Sequence, residues 1–406
     1  MVPICRKHLF SSLDLVSTSI SNSGHFSDLL LVNPDIARYV RSLNYKLYNP
    51  FTSSLSDHEL TLLNILKVRS PLKSIELFSP GLDWNDYPES IRLSLLSLIE
   101  LPTVTHLDIR IFKRFPATAI SGCTNLINLQ FGDIEWTLPD SEFDHVIPRS
   151  KIPTPAFLNI KRRTHGFAAL LISASLHTVG LIDFSHVQTV IFQVEFRGDT
   201  DNINKLIKLT RRLRYVEIKS ECLALFKVLS LQNFDRKKYF VVHFHPFELA
   251  GLGESLAISA SRTLTSLELR TTSIIVDNDH LDPLCGLSRE LGFIAGNNIL
   301  EVLRLDVWFT GASSYLTHFE LWSAFDSMLT DSGAFPVLRR VSVDFGWFSR
   351  YWSETAKDAI LELERLKENK FFPRLVESEA VKFSFSTTDT HKLCVCFFFF
   401  FFSKHA

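Results

Sequence analysis

The chain has 406 residues, of which 46% are hydrophobic and 21% charged, so a folded protein with an ordinary core is expected. Its 43 basic and 44 acidic residues give a formal charge of −1, which argues against nucleic-acid binding. No run reaches the roughly 18 apolar residues that a membrane helix needs. The charged start (Arg6, Lys7) is unlike a signal peptide, and six scattered cysteines suit a reducing compartment. We therefore expect a cytoplasmic or nuclear protein that binds neither nucleic acid nor membrane.

Helical segments recur along the chain. Phe26–Asn33 has helical character and is expected to stop at Pro34, because the residue before proline avoids the α region. Asp57–Lys67 has an acidic start and apolar residues on one side, and Pro88–Leu101 places proline in the first turn. Later helices are predicted at Asp199–Leu213, Glu221–Leu231, Asp279–Ala295, Phe319–Leu329 and Ser353–Glu368.

Each of the main helices precedes a short phrase of the form L-x-x-L-x-L, as in Leu264-Thr-Ser-Leu267-Glu-Leu269. The last two apolar residues are two apart, so both point to the same face of a strand. The other copies are Val40–Leu43–Tyr45, Leu72–Ile75–Leu77, Val104–Leu107–Ile109, Leu126–Leu129–Phe131, Val187–Val190–Phe192, Leu213–Val216–Ile218, Leu300–Leu303–Leu305 and Leu338–Val341–Val343.

Helices alternating with such strands predict an α/β fold, an irregular leucine-rich-repeat solenoid with a parallel sheet on the concave side and helices on the convex side. The long spacings, from Leu126 to Val187 and from Leu213 to Leu264, suggest hidden degenerate units at Ala168–Ser175 and Tyr239–Phe244. Residues 132–165 are expected to form an insertion loop. The Asn or Cys that standard repeats carry after the strand phrase is missing, which also predicts an irregular stack.

Three stretches carry a family resemblance: Arg6–Phe10, Phe26–Pro34 and Ile36-Ala-Arg-Tyr-Val40-Arg-Ser-Leu43. Together with Phe372–Leu375 and Val381–Phe385 near the end, they resemble the F-box-associated leucine-rich-repeat proteins of mushroom-forming fungi. In that family an F-box helical bundle precedes the repeats, and here it would lie before residue 5. Residues 1–30 are thus interpreted as the remnant that follows a missing F-box, and 31–390 as the leucine-rich-repeat-like domain.

The family resemblance implies a protein-interaction scaffold, the substrate-recognition region of an F-box-like protein that recruits targets to a cullin-type ubiquitin ligase. Its partners would be an unknown protein target and, with the F-box restored, the ligase's adaptor subunit. The alternative is a stand-alone leucine-rich-repeat binding protein, or a truncated gene product, with no ligase role. Residues 391–406 form a low-complexity tail with an unbroken Phe397–Phe402 run, interpreted as disordered or as an artefact of a misread gene boundary.

Residues of the kinds that form catalytic or metal sites are present but poorly arranged. His243 and His245 share a predicted strand face, yet a metal site needs three or four ligands. Ser185 and His186 lack a glycine-framed nucleophile turn, and the glycines of Gly251-Leu-Gly253 lack the third glycine of a phosphate loop. We therefore predict no catalytic residue, no metal and no cofactor, and expect that the protein is not an enzyme.

The residues that alternate with the inward apolar pairs should point to solvent on the sheet's outer face. Their central row leans acidic and a basic stripe runs beside it, which predicts a groove for a protein segment. The alternative is a merely solvated face, since mixed charges cover most protein surfaces. The candidate protein-binding residues are Glu76, Asp108, Arg110, Glu217, Lys219, Glu268, Arg270 and Arg304.

Overall fold

The computed structural model describes residues 8–16, 28–30, 32–48, 56–137, 152–161, 181–194, 198–220, 249–274, 284, 286–310, 319–347 and 371–389. They form an α/β fold of parallel strands alternating with helices. The chain divides into two compact units, residues 1–190 and 191–406. The predicted boundaries at residues 30 and 390 stay a prediction.

The first unit carries its described main strands in chain order, each parallel to the next, as β1-β2-β3-β4-β6-β8. A separate small ladder joins β5 to β7. The strands are β1 (Ser12–Val16), β2 (Ser42–Lys46), β3 (Ser74–Phe78), β4 (His106–Arg110), β5 (Phe115–Pro116), β6 (Asn128–Gly132), β7 (Trp136–Thr137) and β8 (Phe157–Lys161). The helices are α1 (Ser56–Arg69), α2 (Glu89–Ile99) and α3 (Thr118–Ser121), with 3₁₀ turns at Pro34–Tyr39, Trp84–Asp86 and Phe184–His186.

The second unit follows the same plan. Strand β9 (Thr189–Val194) contains the boundary between the units, and the strands after it lie in the parallel order β10-β11-β12-β13-β14. They are β10 (Tyr215–Ser220), β11 (Ser266–Ile274), β12 (Val302–Thr310), β13 (Arg340–Trp347) and β14 (Lys382–Asp389). The helices are α4 (Gly198–Leu209), α5 (Leu252–Ser259), α6 (Leu287–Ile294), α7 (Phe319–Thr330) and α8 (Pro373–Glu377).

The apolar triplets form the core of both units. The inward pair of each strand phrase is buried, as Leu107 and Ile109 are in the first unit and Leu303 and Leu305 in the second. Burying one such side chain contributes about 1.5–3 kcal/mol, so the repeated pairs are a main source of stability. The helices complete the core: α2 buries Ile91, Leu95, Leu98 and Ile99 at the spacing of one helical face.

The strand entrances share one backbone pattern. The N–H groups of Lys73 and Ser74 both donate to the carbonyl of Arg41, and those of Thr105 and His106 both donate to the carbonyl of Lys73. The first apolar residue of each phrase precedes this ladder and is buried. The three-residue step from the first apolar residue of the phrase to the inward pair therefore corresponds to a turn, and this turn brings each strand into register with its neighbour.

Buried polar side chains close some of these entrance turns. Ser70 donates its hydroxyl to the carbonyl of Val40 at 2.7 Å. Asn298 donates its side-chain amide to the carbonyls of Ile294 and Ala334, each at 2.8 Å, and accepts the N–H of Leu300 at 3.2 Å. These turns thus obtain side-chain hydrogen bonds from residues that precede the strand phrase, not from residues that follow it.

One expectation about the long spacings is wrong. Residues 132–165 are not simply an insertion loop, because β7 and β8 lie within them and β8 pairs with β6 in full register. Strand β10 pairs directly with β11, with Tyr215 opposite Ser266.

Several other predictions lie outside the described residues. They are the strand-like segments Ala168–Ser175 and Tyr239–Phe244, the helices Glu221–Leu231 and Ser353–Glu368, and the tail 391–406. Of the predicted helices that are described, α1, α2, α4 and α7 confirm the expected positions within a few residues at each end. Helix α6 (Leu287–Ile294) lies within the predicted Asp279–Ala295 segment, of which residues 279–283 and 285 are outside the described residues.

Candidate functional site

The outward rows occur in the register that the strand phrases predict. In the first unit Glu76 pairs with Asp108, and Phe78 pairs with Arg110. In the second unit one row runs Glu217–Glu268–Arg304, and the next runs Lys219–Arg270–Asp306. Because parallel strands lie about 4.8 Å apart, each row holds its side chains as close neighbours. The candidate residues therefore form two groups, one in each unit.

The group in the first unit centres on Asp108. Its carboxylate accepts a hydrogen bond from Arg110, and it lies 3.2 Å from the Lys161 ammonium. Arg110 also lies 3.3 Å from Glu76. The hydrogen bond to Asp108 raises the pKa of the Arg110 guanidinium, an effect that the charges of Asp108 and Glu76 reinforce. The cluster thus contains two acids and two bases.

The group in the second unit begins at Tyr215. Its hydroxyl donates to Glu268 at 2.9 Å and lies 3.3 Å from Glu217, so one phenol connects two carboxylates. Burial raises the pKa of Tyr215, and the hydrogen bond to Glu268 raises it further. The Lys219 ammonium lies 2.7 Å from Glu217 and balances its charge.

Two arginines extend this second group across the next strands. Arg270 lies 2.6 Å from the Asp306 carboxylate. Arg304 lies between two acids, at 3.8 Å from Glu268 and 3.5 Å from Asp344. The side chain of Arg304 is 48% exposed, so its guanidinium remains open to a partner while its position is held from both sides.

The expectation that every row residue points to solvent is wrong for two of them. Glu217 and Asp306 are only 7% and 8% exposed. Each acid is paired with a more exposed basic side chain, Lys219 at 29% and Arg270 at 42% exposure. The face therefore presents its bases outward and keeps some of its acids buried.

The sequence did not lead us to predict two residues of these groups, Lys161 and Tyr215. Lys161 lies on β8, in a segment expected to be an insertion loop, although Phe157-Leu-Asn-Ile-Lys161 alternates as a strand does. Tyr215 lies two residues before Glu217 on the same face, so the same alternation identifies it once β10 is recognised. Period-two alternation without the entry leucine identifies Lys161, and extending the outward row to the residue before the inward pair of β10 identifies Tyr215.

The residues weighed as catalytic or metal ligands do not form a site in the described structure. His243 and His245 lie outside the described residues. The Ser185 N–H binds the side chain of Asp183 within a 3₁₀ turn. Gly251 and Gly253 lie at the start of α5 and pack against Asn204 and Glu290, respectively. Within the described ranges, no three His, Cys, Asp or Glu side chains are grouped as metal ligands would be.

Comparison with known proteins finds no matching family model and no matching curated protein. The resemblance to F-box-associated repeat proteins therefore depends on the sequence motifs alone. No helix among the described residues is both long and apolar enough to cross a membrane.

The arrangement is suited to recognition by charge and shape. Ion pairs that solvent reaches contribute only about 0–1 kcal/mol each to stability, so a pair whose base is half-exposed, as Arg304 is at 48%, adds little to folding. Because the parallel strands hold these ion pairs in register, the pairs give a partner a fixed array of hydrogen-bond donors and acceptors. Arginine is especially suited to this role, because its planar guanidinium binds carboxylates through two parallel hydrogen bonds.

Proposed function

We propose that the chain is a protein-binding scaffold, the substrate-recognition region of an F-box-like protein that recruits targets to a cullin-type ubiquitin ligase. The observation that carries the binding role is the ordered ion-pair array on the outward strand face, with Glu268 and Arg304 at its centre. The ligase role comes from the family resemblance. We also assign the repeats to an irregular leucine-rich-repeat solenoid, which the strand phrase and the helix–strand alternation support.

The outward strand face is best suited to binding a partner that carries both positive and negative charges. Each acid of the second-unit group is close to a base, so a partner with alternating charges can exchange these internal pairs for intermolecular ones. Such exchange favours correct partners over wrong ones, because a like charge facing Arg304 or Glu268 costs binding energy. The face is thus better matched to a specific protein segment than to a uniform polyanion.

The binding role is tested by reversing the central pair. The single variants Glu268→Arg and Arg304→Glu break the pair, whereas the double variant restores an internal pair with the opposite pattern. We expect the double variant to remain folded, with a small loss of stability because Tyr215 loses its acceptor Glu268 and Asp344 loses its partner Arg304, and to lose the partners that the natural chain captures by cross-linking and mass spectrometry. Unchanged capture by a folded double variant would rule out this face as the binding site.

The ligase role needs a separate measurement. The full-length gene product should co-purify with the adaptor subunit of the cullin ligase, and its captured partners should carry ubiquitin. If partners bind through the face but no adaptor accompanies the full-length product, the ligase role is wrong and the stand-alone leucine-rich-repeat scaffold is the better description.

A further inference from the structure

The last described strand of the second unit, β14, stands at the end of the strand order. It spans Lys382–Asp389 and, within the part of the chain that the structure describes, pairs with β13 alone. An edge strand exposes alternate backbone N–H and C=O groups that another strand can pair with. At eight residues it is longer than most strands, so the edge is extensive.

The inward residues of β14 are unusual for this fold. On β13 the corresponding Val341 and Val343 are 0% exposed, but Phe383 and Phe385 of β14 are only partly covered. Both rings pack against aromatic residues of the same unit. The ring centroids of Phe383 and Phe372 are 5.2 Å apart, and those of Phe385 and Phe345 are also separated by 5.2 Å. Their uncovered surface is therefore apolar area beside the edge.

The edge strand of the first unit shows that this exposure is not a general property of strand ends. On β1 the inward residues Leu13 and Leu15 are 6% and 3% exposed. The apolar side chains of the β1 edge are therefore covered by other residues of the first unit. Among the described residues, the β14 edge has no such cover, although its inward residues are aromatic and larger.

The outward side of the same edge carries uncompensated positive charge. Lys382 and Arg340 are exposed and pair with each other in the strand register. Asp344, an acid on the same strand as Arg340, already interacts with Arg304 and with the hydroxyl of Ser386. Among the described residues, neither Lys382 nor Arg340 lies within ion-pair distance of a carboxylate.

We propose that β14 receives an extended, acidic protein segment as an added strand. Its backbone would pair with the β14 edge, its apolar side chains would cover Phe383 and Phe385, and an acidic side chain would face Lys382, with Arg340 one strand further from it. Main-chain hydrogen bonds give affinity in this mode of binding, and alternate side chains give specificity. A protein segment is favoured over nucleic acid because the edge offers backbone pairing groups and the apolar rings of Phe383 and Phe385 beside one lysine, and a phosphate chain would use only the lysine. This site lies on a different strand from the Glu268–Arg304 pair and does not depend on the proposed function.

The test uses the full chain and a fluorescein-labelled peptide of four Val-Glu repeats, followed by fluorescence anisotropy. We expect saturable binding that weakens as salt is added, and no binding of a Val-Lys peptide or of a Val-Glu peptide with N-methylated backbone. Lys382→Glu should weaken binding of the Val-Glu peptide about fivefold or more. Lys46→Glu, the same charge reversal on β2 of the first unit, should leave binding unchanged.

Four results would overturn the proposal. They are equal binding of the N-methylated peptide, equal effects of the two charge reversals, no saturable binding at all, and tighter binding of a labelled oligonucleotide than of the Val-Glu peptide.

A second copy of the chain is the other candidate for this edge. A dimer in sedimentation that dissociates in Phe385→Lys would assign the edge to self-association instead. Circular dichroism of each variant establishes that it is folded.

Discussion

Gly253 and Glu290 are in direct contact in the second unit. The N–H of Gly253, near the start of α5, donates to Oε2 of Glu290 on α6 at 2.9 Å. A Cβ at Gly253 would lie 1.9 Å from the carbonyl oxygen of Glu290. Glu290 therefore supplies a hydrogen bond that the start of α5 obtains from no side chain of its own, and glycine is what lets the two helices approach.

This contact predicts opposite effects for two glycine substitutions. Gly253→Ala should destabilise the protein by about 1–3 kcal/mol or more, because backbone must move to admit the methyl group. Gly292→Ala, on α6, should stabilise by about 0.5–1 kcal/mol, since nothing lies within 4 Å of its Cβ position and alanine favours the helix. Urea unfolding of both variants measures the difference, and two effects of the same sign would contradict this account.

Asp326 supports the neighbouring short helix in a similar way. Its carboxylate is buried and accepts the N–H groups of Arg374 and Leu375 at 3.0 and 2.9 Å, at the start of α8. Asp326→Ala would leave these donors without partners and should cost about 1–3 kcal/mol.

A matched change nearby serves as the control for Asp326. Asp331 is exposed and accepts the N–H of Gly333 at 2.8 Å, so water can replace its carboxylate. Asp331→Ala should therefore cost clearly less than Asp326→Ala in the same thermal unfolding measurement. Equal losses would show that Asp326 has no special role in holding α8.

Glu59 should make stability depend on pH. Burial raises the pKa of Glu59 above its usual value, and the hydrogen bond from Tyr45 at 3.1 Å offsets this only in part. The folded chain then holds the proton more tightly than the unfolded chain does. The contribution of this proton binding to the stability of the folded chain is complete below the pKa of Glu59 in the unfolded chain, about 4.3. It is lost as the pH rises through the pKa of Glu59 in the folded chain.

Glu59→Gln mimics the protonated acid and tests this sign. We expect the variant to be more stable than the natural chain at pH 7, with a difference that shrinks as the pH falls toward about 4. Asp57→Asn, an exposed change on the same helix, should show no comparable trend in urea unfolding across this range. A stability gain that grows on acidification would contradict the prediction.

Cys123 should be unreactive in the folded protein. Burial raises the pKa of its thiol to about 12, and the thiol donates to the carbonyls of Ile99 and Ala119, each at 3.4 Å. Because the thiolate is the reactive form, iodoacetamide at pH 8 should leave Cys123 unmodified in the native chain and alkylate it in urea. Peptide mass spectrometry distinguishes Cys123 from the other cysteines, and rapid native alkylation would show that this part of the core opens readily.

Local patterning in the sequence is sufficient to predict the strands that carry an L-x-x-L-x-L phrase and the register of their outward rows, but not β8, which lacks the phrase. Each L-x-x-L-x-L phrase marks which side chains point inward, so aligning the phrases by itself places Glu268 beside Arg304. This works because side chains alternate strictly along a strand and each strand entrance repeats the same turn. Helices α1 and α2 are predictable for the same reason, from apolar spacing and terminal residues.

The tertiary structure alone decided which strands are neighbours and which polar groups are buried. Strand β8 joins β6, and β10 joins β11 directly, through backbone hydrogen bonds between residues far apart in the chain. The contact of Glu290 with Gly253 and the burial of Glu217 depend on how adjacent elements pack. Alternation and helical spacing act over a few residues and are written in the local sequence, whereas these contacts are chosen by the free energy of packing whole elements together.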